Sequence, residues 1–181
     1  MAGLNFVLGG ARSGKSTYAL EWAAHQGERV LFVATAQATD EEMAERIRRH
    51  RAERPPHWDT LEAPLNTGQA IIDVWSGQSA VVVDCLTLLA ANALLSLPED
   101  APQQAADDSI LAQAEGLLRA YRHTQANWLI VSNEVGMGVV PPTYLGRVYR
   151  DALGRANQHI ARAADEVYLL VAGIPWRLKS R

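Results

Sequence analysis

Gly9-Gly10-Ala11-Arg12-Ser13-Gly14-Lys15-Ser16 constrains this chain more than any other stretch. It fits G-x-x-x-x-G-K-[ST], the phosphate-binding P-loop, through Gly9, Gly14, Lys15 and Ser16. Glycine lets the backbone turn tightly enough for successive N–H groups to converge on a phosphate chain. The pattern places Lys15 to reach the β- and γ-phosphates and the Ser16 hydroxyl to ligate Mg²⁺. A helix starting here adds its positive N-terminal end to the same anion.

The flanks supply the setting that the motif needs. Leu4-Asn5-Phe6-Val7-Leu8 is a short apolar run suited to a buried strand. Thr17 to Ala24 reads as a helix with Ala19, Leu20 and Ala23 on one face. A glycine turn that binds nothing would need neither flank. The sequence therefore reads as a P-loop nucleotide-binding protein, with Lys15 as a catalytic residue and Ser16 as a metal ligand.

Length and charge narrow the class. With 181 residues, the chain is expected to form one domain spanning 1–181. A net charge of −3 argues against a nucleic-acid-binding surface spread over the whole molecule. Cys85 is the one cysteine, so neither an intramolecular disulfide nor a cysteine-cluster metal site can form. No apolar stretch reaches transmembrane length and no signal-peptide pattern precedes the first strand. The expectation is a cytoplasmic protein without membrane insertion.

Downstream, short apolar runs alternate with helical patterns. Arg29 to Ala34 reads as a second buried strand with a small, polar exit at Thr35-Ala36-Gln37-Ala38. Thr39-Asp40-Glu41-Glu42 fits a capping box with Thr39 as N-cap, opening a helix to about Arg54 before Pro55-Pro56. Arg46, Arg48, Arg49, Arg51 and Arg54 follow the acidic run Asp40, Glu41, Glu42 and Glu45. Acid first and base last suits a solvated, dipole-matched helix. The same arginines also suit a cationic arm that receives phosphates. His50 sits on the apolar-leaning face with Met43 and Ile47.

Thr60 to Ala63 suggests a short strand, and Asn66 a cap for a helix to Trp75. Ala80-Val81-Val82-Val83-Asp84 is an apolar strand ending in an acid, the Walker B pattern. A carboxylate at a strand tip beside the P-loop can hold Mg²⁺ or its water. Helices are expected over Leu86–Leu95, Asp107–Arg122 and Tyr144–Ala164, and strands over Trp128–Ser132 and Val167–Val171. Residues 133–142 form a loop with more glycine than a plain connection needs, suited to a ligand or subunit contact. Trp176 to Lys179 reads as a short tail. The alternation implies an α/β fold, a mostly parallel sheet flanked by helices, with nucleotide at the carboxyl ends of the strands. The loops at 9–16, 35–38, 84–86 and 132–138 all fall at that edge.

From the residues alone the reading stops at a small P-loop phosphotransferase. The N-K-x-D motif of guanine-specific switch proteins is missing, as is a long arginine-rich lid. The P-loop, Val33-Ala34-Thr35-Ala36, Asp40 to Met43, Arg46-Ile47-x-x-His50-Arg51, Arg54-Pro55 and Val83 to Thr87 carry a further resemblance. Ser132 to Pro141, with its Asn-Glu-Val-Gly-Met-Gly block, and Ala163 to Tyr168 continue it in collinear order. Together they are similar to the bifunctional adenosylcobinamide kinase/adenosylcobinamide-phosphate guanylyltransferase family of cobalamin biosynthesis.

That resemblance implies two reactions on a P-loop NTPase scaffold of RecA-like type. ATP or GTP phosphorylates adenosylcobinamide; then GTP guanylylates a histidine, at the position of His50, and the GMP passes to adenosylcobinamide phosphate. It implies nucleotide contacts from Gly9, Gly10, Ala11, Arg12, Ser13, Gly14, Lys15 and Ser16, and from Ala34, Thr35, Ala36, Arg51, Arg54, Glu62 and Asp84. Mg²⁺ at Ser16 and Asp84 and a homotrimer with the site near a subunit boundary are further implications. Two other readings stay open on the residues: a P-loop kinase of another small alcohol, with His50 a surface residue, and a RecA-like nucleotide-dependent binding or regulatory subunit.

Overall fold

The computed structural model describes residues 2–38 and 40–180, with Arg46 described by its backbone. The elements run β1 (Leu4–Gly9), α1 (Lys15–Ala24), β2 (Val30–Ala34), α2 (Glu41–Ala52), β3 (Asp59–Glu62), α3 (Thr67–Val74) and β4 (Ala80–Asp84). They continue α4 (Leu86–Leu95), α5 (Gln103–His123), β5 (Asn127–Val131), α6 (Tyr144–Ala163), β6 (Glu166–Val171) and β7 (Ile174–Lys179). The strands form one seven-stranded sheet in the order β3-β2-β4-β5-β1-β6-β7. Every neighbouring pair is parallel except β6 with β7. The α/β architecture expected from the alternation is thus the one that forms.

Strands buried on both faces must be apolar throughout, and β2 and β4 show why. Leu31, Val33, Val81 and Val83 point into one core; Val30, Phe32, Ala80 and Val82 point into the other. The first core includes Ile71, Leu89, Leu117 and Leu153 from α3, α4, α5 and α6. The second is closed by Ala19 and Ala23 of α1 together with Trp58. Small side chains on α1 let the helix lie close to the sheet, which brings its N-terminus to the tip of β1. Each large aliphatic side chain buried in these layers contributes about 1.5–3 kcal/mol.

Several boundaries differ from the sequence reading, each for a local reason. The N-cap of α2 is Asp40, whose Oδ1 accepts from Met43 N at 2.7 Å; Thr39 lies outside the described residues. The same helix ends at Ala52, short of the expected Arg54. Asn66 precedes α3 in a left-handed conformation (φ 51°) and does not cap it; the Thr67 hydroxyl donates back to Ala63 O at 2.8 Å. α5 begins four residues earlier than the pattern suggested, after Pro102, where Gln103 and Gln104 reach Asp107 and Asp108. The expected tail is the strand β7, folded back on β6 through Ala172 (φ 51°) and Gly173 (φ 82°). Two consecutive left-handed residues make the tight turn whose twist suits a hairpin.

Candidate functional site

The carboxyl ends of β1, β2, β4 and β5 lie side by side, and the cleft above them has a volume of about 510 Å³. β1 delivers Gly9, the chain turns through residues 10–13, and α1 starts at Lys15. Gly14 holds the N-cap position at φ 96°, where a Cβ would also approach Gly173 Cα to 3.0 Å. Only glycine meets both conditions.

Lys15 is buried, 8% exposed, with Nζ donating to Gly9 O at 3.0 Å and Gly10 O at 2.6 Å. Burial lowers its pKa, against the pull of Cys85 and Asp84. At the tip of β4, Asp84 accepts from the Ser16 hydroxyl at 3.3 Å. Burial pushes the Asp84 carboxyl up, and His50, Ser16, Arg54 and Lys15 each work in the opposite direction. A carboxylate oxygen and a hydroxyl oxygen side by side are hard ligands, so these two oxygens fit Mg²⁺ once bound phosphates offset the neighbouring cations.

α2 crosses over this edge. Met43, Ile47, His50 and Arg54, spaced at helical intervals, line the cleft opposite the P-loop. His50 therefore shares one cavity with Lys15, Ser16 and Asp84, although it lies far from them in sequence. Its side chain is 37% exposed, with Nδ1 3.9 Å from Glu53 Oε2. Cys85 also lines the cleft, but burial and Asp84 push its thiol up to about 11. Near neutral pH it is protonated and a poor nucleophile.

The structure brings most of the expected residues together. Residues 11–16, with Ala34, Ala36, His50, Arg54 and Asp84, line the cleft. Gly9 and Gly10 lie behind it as carbonyl acceptors for Lys15. Three residues are not on its wall. Thr35 is fully buried; its hydroxyl donates to Cys85 O at 2.7 Å and accepts from Cys85 N at 2.8 Å, so it braces the turn after Asp84. Arg51 and Glu62 pair with each other at 3.2 Å, both well exposed.

Thr87 and Asn133, which the sequence did not single out as site residues, also line the cleft. Thr87 sits in the first turn of α4 and accepts from Asn133 N at 2.7 Å. Behind them Ser132 donates to Asn157 Oδ1 at 2.7 Å, which ties the glycine-rich loop to α6. The polarity of Asn133, just past an apolar strand, and of Thr87, in the first turn of a mostly apolar helix, was the available signal. Glu134 N, next along, donates to Gly9 O at 3.1 Å and so links that loop to the P-loop.

Comparison with known proteins agrees with this geometry. The chain matches the family described as cobinamide kinase / cobinamide phosphate guanyltransferase over residues 5–178. It is 40% identical over 178 residues to the bifunctional adenosylcobalamin biosynthesis protein CobU of Escherichia coli K12, covering 96% of this chain and 98% of that one. Identity to the bifunctional adenosylcobalamin biosynthesis protein CobP of Pseudomonas aeruginosa is 43% over 175 residues, covering 97% and 96%. Among solved structures, an ATPase from the type III secretion system of pathogenic bacteria superposes with a TM-score of 0.60 at 12% identity. That match covers 92% of this chain and 50% of the ATPase, and it shows a shared P-loop fold of RecA-like type. With a family match across nearly all of its length and relatives at this identity, the chain belongs to the cobinamide kinase / cobinamide phosphate guanyltransferase family.

Proposed function

We propose that this protein phosphorylates adenosylcobinamide with ATP or GTP and then transfers GMP from GTP, through a guanylyl-histidine at His50, to give adenosyl-GDP-cobinamide in cobalamin biosynthesis. The two activities that describe the family, and the bifunctional relatives in E. coli and P. aeruginosa, support this reading. The observation that carries the assignment to this site is the single cleft shared by His50, Lys15, Ser16 and Asp84.

In the kinase step the substrate hydroxyl attacks the γ-phosphorus and the bond to the bridging oxygen breaks. Lys15, the loop N–H groups and the N-terminus of α1 stabilise charge on the phosphoryl oxygens. In the guanylyl step an imidazole nitrogen of His50 attacks the α-phosphorus of GTP; a P–N bond forms and pyrophosphate leaves. Arg54 and Arg51 neutralise the equatorial oxygens. A phosphate oxygen of adenosylcobinamide phosphate then attacks the same phosphorus, and the P–N bond breaks to return free His50. Ser16 and Asp84 would hold Mg²⁺, which would supply charge neutralisation to the bound phosphates. Arg51 and Glu62 reach the nucleotide from the rim by leaving their mutual pair, and Thr35 acts through Cys85.

We assign the same protein a cytoplasmic location and a homotrimeric assembly. Exposed apolar side chains support the assembly: Met137, Val139 and Val140 on the glycine-rich loop, and Ile174, Trp176 and Leu178 on β7. Light scattering should return a trimer mass, and a monomer across the working concentration range would remove that part. Incubation with α-³²P-GTP tests the function. Label should survive denaturation and be discharged by adenosylcobinamide phosphate. Protein that takes up no label is not a guanylyltransferase of this kind.

A further inference from the structure

Arg54, just past the end of α2, is held in the cleft by an aromatic ring. Its guanidinium carbon lies 4.0 Å from the centroid of the Phe32 ring, in cation–π contact. Phe32 is 3% exposed and sits in the middle of β2, paired in parallel with Thr60 on β3 and Val82 on β4. A residue fixed on both sides by strand pairing is a rigid platform. The same strand ends at Ala34 on the cleft wall.

The arginines of this segment are placed differently from one another. Arg48 pairs with Glu45 and Arg51 with Glu62, all well exposed. Arg54 instead lines the cleft beside His50 and Asp84, and its Nε–H is buried without a hydrogen-bond acceptor. Burial works against its charge, while Asp84 favours it. A guanidinium lying against a ring presents its N–H groups at the ring's edge, as a planar fork that suits a bidentate phosphate contact. The ring also removes rotamer freedom that an arginine beyond a helix end would otherwise lose on binding.

We propose that Phe32 is a positioning residue of guanylyl transfer, aiming the Arg54 fork at the nucleotide phosphate that faces His50. The proposal rests on the function given above and adds to it a buried residue with no polar side-chain atom. Phe32 touches no reacting atom. Its effect on labelling passes through Arg54, separately from its packing in the second core, and that gives it a signature that packing lacks.

The experiment is a double-mutant cycle in the full-length protein with Phe32→Leu, Arg54→Ala and the double variant, and with Phe32→Tyr as the conservative control. The readouts are the second-order rate of α-³²P-GTP labelling and the affinity for GTP. Phe32→Leu should slow labelling roughly 3- to 30-fold, the range spanned by a partly desolvated cation–π contact, and Phe32→Tyr should restore it. In the Arg54→Ala background Phe32→Leu should add less than about 2-fold, because the interaction is already gone. Equal slowing in both backgrounds, or none in either, overturns the proposal. Should Phe32→Leu not fold, Phe32→Met fills the site without a ring and serves in its place. Should the parent take up no label, the proposed function fails by itself, and the same cycle read in GTP affinity decides the role of Phe32: coupled losses uphold it, additive ones overturn it.

Discussion

Replacing Lys15 by Met separates what the P-loop lysine does for folding from what it does for chemistry. The ammonium gives two short charged hydrogen bonds, to the carbonyls Gly9 O at 3.0 Å and Gly10 O at 2.6 Å, and a long one to Ser13 Oγ at 3.4 Å. Such bonds are worth about 1.5–3 kcal/mol each. Against them stands the loss of hydration of a side chain that is 8% exposed, several kcal/mol for a buried ion. Neither acceptor is orphaned by the change: Gly9 O keeps Glu134 N at 3.1 Å and Gly10 O keeps Ser13 N at 3.3 Å. Met fills a similar volume, so the two sides nearly cancel and folding stability should move by about 1 kcal/mol or less. Catalysis has no such compensation, because the cation opposite the developing phosphoryl charge is lost. Both the kinase and the guanylyl half-reaction should fall roughly 10²- to 10³-fold. Urea unfolding and separate assays of each half-reaction measure the two effects. Loss of more than about 3 kcal/mol of stability, or an undiminished rate in either half-reaction, would show that Lys15 does not serve catalysis apart from folding.

Two further substitutions have distinct signatures. Asp84→Asn removes the carboxylate proposed for Mg²⁺ and should weaken the apparent Mg²⁺ affinity while sparing metal-free nucleotide binding; superimposable Mg²⁺ titrations of variant and parent would count against that role. Because burial raises the Asp84 pKa in the folded state, its contribution to stability is full below the unfolded-state value and is lost as pH rises through the folded one. The Asn variant should therefore gain stability relative to the parent at neutral pH and little in acid, read as paired unfolding curves. Gly68→Ala tests the packing of α3 on α5: the added Cβ would run into the Gly116 carbonyl and lie 2.9 Å from Leu117 N, all backbone. It should cost about 3 kcal/mol in urea unfolding, and a loss below about 1 kcal/mol would show that the helices separate easily.

The parts of the fold legible in the sequence were those whose chemistry is local. Gly14 and Lys15 declare the P-loop because a phosphate cradle needs glycine and a cation within a few residues. Asp84 is visible because an acid ends an apolar strand downstream of a P-loop, a pairing that the strand alone would not have made telling. Parts decided by distant partners were not legible. β7 exists because Ala172 and Gly173 turn left-handed and β6 offers an open edge, whereas Trp176-Arg177-Leu178-Lys179 alone carries no strand bounded by turn residues. Thr35 looked like a ligand contact from its place after β2, yet β4 lies alongside and its turn takes both hydrogen-bonding roles of the hydroxyl. His50 was ambiguous for the opposite reason. Its helix has the charge order of an ordinary solvated helix, and only the path of α2 over the sheet edge puts one face of it in the cleft. The contact between Phe32 and Arg54 left no pattern in the sequence at all.

Whether His50 carries GMP is decided by comparing two proteins. Parent and His50→Ala proteins are incubated with α-³²P-GTP and Mg²⁺, and each is assayed in parallel for phosphorylation of adenosylcobinamide. The parent should take up label that is stable in alkali and lost in acid, as a P–N bond requires. His50→Ala should take up none and form no adenosyl-GDP-cobinamide, while keeping much of the kinase rate, because phosphoryl transfer from the nucleotide, supported by Lys15, Ser16 and Asp84, needs no imidazole. A His50→Ala protein that still acquires acid-labile label, or that loses both reactions in equal measure, shows that His50 is not the carrier of GMP.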